Sequence, residues 1–384
     1  MFGFFKELVN LVRFFSEKNK AKRRLVFYAE SSFYYKFLEG FIDYVLDNSD
    51  IHVCYITSDP SDPVLKFDRS GFWPFYFDKL LAQVMLNLDA VAIVFTMPDL
   101  DNFHLKRSLR GAEHVYVFHG IGSIHLGYSE GAFDGYDTIF CVGPYDIKEF
   151  QRHEEICGHK TWNLVKCGYY RLEQIFLEHT KYELAGGQNR NEKVNVLIAP
   201  SWHKQNILER CIGDLVCGLS PDRFNLIIRP HPEFLKRNPR QIAQLRNQFG
   251  GLHHITFDLN AISERNIHEA DILITDWSGI AFEFALGTVR PVLFINTPRR
   301  INNLNYQSLG IEPIDSSARN RIGLTVYPTD LQNVAQTVER LMQERSHYAE
   351  EIIRFRKELV YNWLQSAAVG GQYLVDLCKI REDR

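Results

Sequence analysis

Short apolar runs, each halted by a polar or glycine-containing turn, recur along the whole chain with helix-length segments between them. This alternation restricts the fold more than any other feature. In the first half the runs fall at residues 25–28, 51–56, 91–95, 114–118, 138–142 and 164–167. They resume at 194–199, 225–228, 254–257, 272–275 and 291–295. Runs this short and continuously apolar read as strands buried on both faces, and strands alternating with helices build parallel sheets covered on both sides. The expected class is α/β: two doubly wound, Rossmann-like domains facing a central cleft.

A length of 384 residues suits two such domains. The polar stretch 186–192 has no apolar residue and is the natural linker. The expected divisions are an amphipathic segment 1–24, an N-terminal acceptor-side domain 25–185, a C-terminal nucleotide-donor domain 193–345, and helices 346–384 that cross back to the first domain. A formal net charge of −3 argues against a general nucleic-acid binder. The seven cysteines are scattered, with no C-x-x-C pair, and fit reduced thiols in the cytoplasm rather than disulfides or zinc. No carboxylate cluster has metal-ligand spacing, so neither metal nor cofactor is expected.

No apolar run is long enough to span a bilayer. The N-terminus nevertheless crowds Phe2, Phe4, Phe5, Leu8, Val9, Leu11, Val12, Phe14 and Phe15 ahead of Lys18, Lys20, Lys22, Arg23 and Arg24. Two readings compete: an amphipathic helix on an anionic membrane surface, which the basic cluster slightly favours, and a helix packed on the first domain. The first implies a protein peripheral to the inner face of the cell membrane.

The chemistry collects at strand ends, where open α/β sheets bind ligands. The run 272–275 is followed by Asp276, Ser278 and Gly279, then by a helical stretch from about Ile280. Helix amides, a hydroxyl and a residue without Cβ make an anion site suited to phosphate. Glu283, further along that helix, suits ribose hydroxyls. Arg229-Pro-His-Pro-Glu233 ends the run 225–228, and its prolines hold His231 rigidly for a phosphate contact. Pro200, Ser201, His203 and Lys204 end the run 194–199 as further donor contacts, while Trp202 reads more readily as core. His119 and Gly120 end the run 114–118, where a histidine projects into the cleft as a general base rather than merely capping a turn.

These four groups in this order, His119-Gly120, Pro200-Ser-Trp202, Arg229-Pro-His-Pro232 and Thr275-Asp-Trp-Ser278, resemble the motifs of the CDP-glycerol glycerophosphotransferase family. The family's usual forms are H-G-T, P-T-W/F-R, R-P-H-P and T-D-Y-S-S with a following F-D/E-F helix. The match spans about residues 114 to 297. Departures occur at Ile121-Gly-Ser123, Ser201, His203 and Gly279, and fall more heavily on the acceptor side.

The resemblance implies a GT-B, membrane-associated enzyme of teichoic-acid or capsule synthesis. It would transfer glycerol phosphate from CDP-glycerol to a hydroxyl of a lipid-linked or oligosaccharide acceptor, releasing CMP. It assigns His119 as the candidate base and puts His231, Asp276 and Ser278 at the donor pyrophosphate. A sugar-nucleotide glycosyltransferase of the same fold, a CDP-ribitol-using enzyme, and a non-catalytic assembly scaffold remain alternatives.

Overall fold

Two parallel sheets carry the chain. The computed structural model describes residues 2–158, 161–187, 193–260 and 264–381, so 188–192 of the expected linker lie outside the described residues. The first sheet contains β1 (Leu25–Ala29), β2 (Val53–Thr57), β3 (Phe72–Tyr76), β4 (Ala92–Phe95), β5 (Glu113–Val117), β6 (Thr138–Cys141) and β7 (Asn163–Lys166). The second contains β8 (Val194–Ile198), β9 (Phe224–Ile228), β10 (Ile255–Phe257), β11 (Ile272–Thr275), β12 (Val292–Ile295) and β13 (Gly323–Val326). Their orders are β3-β2-β1-β4-β5-β6-β7 and β10-β9-β8-β11-β12-β13. Each sheet therefore reverses its winding once, between β1 and β4 and between β8 and β11, opening a crevice at the carboxyl ends. Central strands β1, β4, β11 and β12 are buried along their whole length, as their unbroken apolar sequences require.

Two strands, β3 and β13, were not among those expected from the sequence. Both lie at sheet edges. One side of an edge strand needs no partner, so Pro74 in β3 is tolerated.

The domains are joined by a buried helix pair. Gly287 lets the helix Ile280–Thr288 approach the helix Tyr170–Leu184, since a Cβ there would sit 2.5 Å from Cγ2 of Ile175. Beyond the helix Arg345–Leu359 the chain returns to the first domain, where the Tyr361 amide donates to the Val142 carbonyl at 2.9 Å. The last helix, Ser366–Ile380, then lies on Tyr35–Asn48, with Gly370 and Gly371 against the rings of Phe41 and Tyr44.

The N-terminal helix Phe2–Phe15 packs on the β3 edge. Phe14 meets Phe75 and Phe77 edge-on at 5.1 and 5.6 Å, and Oε2 of the buried Glu7 accepts the Asp78 and Leu80 amides at 3.1 and 2.9 Å. The basic cluster does not form one face. Arg23 is buried in an ion pair with Asp89, Arg24 donates to the Cys378 carbonyl, and Lys22 covers the Trp73 ring. Lys18 and Lys20 remain exposed, as do Val9 (55%) and Val12 (76%) on the outer face of the helix. Among the described residues no helix is long and apolar enough to cross a membrane. All seven cysteines are free thiols.

Candidate active site

A cavity of about 430 Å³ opens between the domains, over the carboxyl ends of β5, β8, β9 and β11. Two histidines reach it from opposite sides. His119 follows β5, and its Nδ1 lies 2.7 Å from the Thr96 carbonyl. A carbonyl only accepts, so the proton of the neutral ring sits on Nδ1 and Nε2 keeps a lone pair. The rings of Tyr34, Phe37 and Tyr128 surround it. Burial pulls its pKa below the ordinary imidazole value, opposed in part by the Thr96 carbonyl.

His231 has the opposite tautomer. Its Nδ1 accepts the Glu233 amide at 3.1 Å, capping the short helix Pro232–Arg237. The ring proton is therefore on Nε2, leaving an N–H donor. Burial, followed by the nearby Arg300 charge, pushes its pKa down to about 4, so it is neutral at pH 7. One imidazole offers a base and the other a hydrogen-bond donor in the same cavity.

Two guanidinium groups come from the second domain. Arg229, after β9, lines the cavity with Asp258 Oδ2 3.7 Å from its Nη1. Arg300, beyond β12, lies over the Trp202 ring at 4.8 Å and also lines the cavity. Sequence reasoning missed Arg300, because it stands in an irregular segment without a motif. Trp202 was read as core, yet it is a half-buried cavity wall carrying that guanidinium.

The β11 turn brings Ser278 and Gly279 to the cavity at the start of the helix Ile280–Thr288. A Cβ on Gly279 would lie 3.4 Å from the Ile121 carbonyl, so the loops of the two domains are in contact here. Glu283 also lines the cavity, and its Oε1 accepts the Tyr169 hydroxyl at 2.7 Å. Gly120 and Pro200 complete the predicted residues found there.

The remaining predicted residues stand behind the wall. Asp276 is fully buried, with Oδ1 accepting the Ser201 and Trp277 amides at 2.8 and 2.6 Å and Oδ2 the Ile207 amide at 3.2 Å. Its carboxylate is a scaffold for the β8 and β11 turns, a correction to its reading as a ligand contact: backbone donors already occupy both oxygens. Thr275 donates to the Ala199 carbonyl at 2.7 Å and is likewise buried. The Ser201 hydroxyl is spent on His203 Nδ1 at 2.5 Å, and His203 Nε2 reaches the Pro298 carbonyl at 2.9 Å. That relay anchors the segment carrying Arg300. Lys204 is exposed and does not line the cavity.

The cleft is clasped at its rim. The Ser123 amide donates to Asp315 Oδ2 at 2.7 Å, and the Ser123 hydroxyl accepts the Ile314 amide at 2.6 Å. Lys36 Nζ lies 3.0 Å from Glu264 Oε1 elsewhere on the cavity wall.

The arrangement can bind a polyphosphorylated donor on the second domain and activate a hydroxyl on the first. Comparison with known proteins agrees. The family described as CDP-glycerol:poly(glycerophosphate) glycerophosphotransferase matches residues 47–299, more than half of the chain. No curated protein matches in sequence. Among solved structures, the wall teichoic acid polymerase TagF is similar with a TM-score of 0.65 at 12% identity, covering 98% of this chain and 94% of that one. A TagF variant soaked with CDPG gives a TM-score of 0.64 at 13% identity, over 99% and 94% of the two chains. A putative UDP-N-acetylglucosamine 2-epimerase from Listeria monocytogenes gives 0.58 at 13%, over 95% and 98%. At such identities these structures speak for the shared two-domain fold.

Proposed function

The chain belongs to the CDP-glycerol:poly(glycerophosphate) glycerophosphotransferase family, and from that premise we propose that it moves glycerol phosphate from CDP-glycerol to an acceptor hydroxyl across the inter-domain cavity, releasing CMP. The reading rests on one observation above all: His119 and His231 share the cavity with opposite ring nitrogens available.

The donor diphosphate lies against Arg229, Arg300, the Nε2–H of His231 and the amides beside Ser278 and Gly279, with Glu283 receiving ribose hydroxyls. Nε2 of His119 takes the proton of the acceptor hydroxyl as its oxygen attacks the β-phosphorus. The bond from that phosphorus to the bridging oxygen breaks, and CMP departs with the electron pair. Charge growing on the phosphoryl oxygens is met by His231 and the two arginines, already held in place before reaction. Gly120 and Pro200 shape the wall, while Thr275, Asp276, Ser201 and His203 support it and Lys204 stays outside.

The product enters a cell-surface polymer, teichoic acid or capsule, and the acceptor is a lipid-linked or oligosaccharide one. Work at the inner face of the membrane follows from such an acceptor, with the exposed face of Phe2–Phe15 as the contact. A donor screen with purified protein tests the proposal. CMP must appear from CDP-glycerol in an acceptor-dependent manner. Release of UDP from a sugar nucleotide would favour a glycosyltransferase, and CMP from CDP-ribitol alone would move the donor to ribitol.

A further inference from the structure

Two consecutive arginines, Arg299 and Arg300, follow β12, and each is taken up by a different tryptophan. Arg299 lies 5.0 Å from the centre of the Trp277 ring, and Arg300 lies 4.8 Å from that of Trp202. The backbone leading to them is fixed from the same two turns. Trp277 Nε1 donates to the Thr297 carbonyl at 2.8 Å, and His203 Nε2 donates to the Pro298 carbonyl at 2.9 Å. The Trp202 ring is also a neighbour of His231, at 6.3 Å between ring centres.

Arg300 has no polar partner of its own. Among the described residues it makes no ion pair or hydrogen bond, and its Nε is buried without an acceptor. Carboxylates of the same domain do line the cavity, but they are engaged elsewhere. Glu233 pairs with Arg237 at 2.8 Å and Glu264 with Lys36 at 3.0 Å. Glu283 accepts the Tyr169 hydroxyl and Asp315 the Ser123 amide, both at 2.7 Å. Arg229, by contrast, has an Asp258 oxygen 3.7 Å from its Nη1. A carboxylate partner would neutralise a guanidinium and occupy its N–H fork. An aromatic face attracts the same group without doing either, so charge and donors stay available to an incoming anion.

Resting on the donor reading above, we infer that Trp202 is a positioning residue, whose ring holds Arg300 as an unpaired guanidinium for the donor diphosphate. The indole acts on the ligand through Arg300. Arg237 also lies 4.8 Å from this ring, yet it is exposed and its Nε is committed to Glu233, so it does not serve the ligand.

The test measures the Kd of the full chain for CDP-glycerol by calorimetry. Arg300→Gln should raise it at least about tenfold, through loss of charge-assisted hydrogen bonds. Trp202→Leu should raise it about five- to tenfold, and Trp202→Phe, which keeps an aromatic face, by no more than about threefold. Added to Arg300→Gln, Trp202→Leu should change Kd by less than about twofold, because the ring has no guanidinium left to hold. Arg237→Gln should stay within about threefold of the parent. Trp202→Met takes the place of the leucine variant should that one not fold. The inference is overturned by an unchanged Kd in Trp202→Leu, by additive losses from Trp202→Leu and Arg300→Gln, or by a phenylalanine variant as weak as the leucine one. A loss in Arg237→Gln equal to that in Arg300→Gln overturns it as well. Failure of the parent chain to bind CDP-glycerol is a different result, which removes the donor reading itself.

Discussion

Tyr169 and Glu283 bind the two domains together beside the cavity, the phenol hydroxyl of one donating to Oε1 of the other at 2.7 Å. Tyr169 precedes the helix Tyr170–Leu184, and Glu283 lies in the partner helix Ile280–Thr288. Burial, then the Glu283 charge, raises the Tyr169 pKa, so the hydroxyl keeps its proton and remains a donor. Tyr169→Phe deletes one charged hydrogen bond, worth about 1.5 kcal/mol. The expected result is a rise of roughly tenfold in KM for CDP-glycerol with little change in kcat. An unchanged KM would detach Glu283 from the donor.

His119→Ala should lower kcat by about 10²- to 10⁴-fold, the usual contribution of a general base. Affinity for CDP-glycerol, read by calorimetry, should stay within about threefold because the lone pair acts on the acceptor. His231→Ala should instead damage both kcat and donor affinity. A His119 variant that loses donor affinity and keeps its kcat would exchange the two roles.

Acid should impair the enzyme by two linked routes. Burial holds His119 below the ordinary value of 6.5, so the acid limb of kcat/KM should have its midpoint below that pH. Stability follows the same sign. The unfolded chain takes up protons near 6.5, whereas native His231 does so only near 4. The native state thus binds fewer protons in between, and stability is complete above 6.5 and declines as pH falls toward 4. Urea titrations at pH 7 and pH 5 should show a lower midpoint at pH 5. A midpoint independent of pH would contradict a buried neutral His231.

Asp276→Ala tests scaffold against ligand. Removing the carboxylate leaves three backbone amides without their acceptor, which should cost about 3 kcal/mol or more. A large fall in Tm is expected. Full stability with only a raised donor KM would return Asp276 to the ligand.

The N-terminal helix is better tested by surface substitution than by truncation. Removing it would uncover Phe75 and Phe77 and take away the Glu7 cap. Val9→Asp with Val12→Asp alters only exposed side chains. Tm should stay within a few degrees, while flotation with anionic vesicles should fall by roughly an order of magnitude. Equal flotation of variant and parent would dismiss this face as a membrane contact.

Much of this molecule is written locally. Central strands such as β11 are buried on both faces, so their sequences are continuous apolar runs, and turns that end them put His119, His231 and Ser278 at the carboxyl edge. The strands β3 and β13 were not legible, because a proline interrupts the apolar run of one and the other opens on a glycine. Asp276 and Ser278 are near neighbours in one turn, and nothing local distinguishes a carboxylate filled by backbone amides from a residue facing the cavity. Arg300 reaches the cavity on a segment held by distant partners, among them the Ser201–His203–Pro298 relay, a contact spanning nearly a hundred positions. Strand burial and turn chemistry depend on adjacent residues, and these the sequence determined alone. Which polar atoms remain unspent, and which side chains reach the cavity, depends on distant groups brought together. Only the tertiary structure decided that.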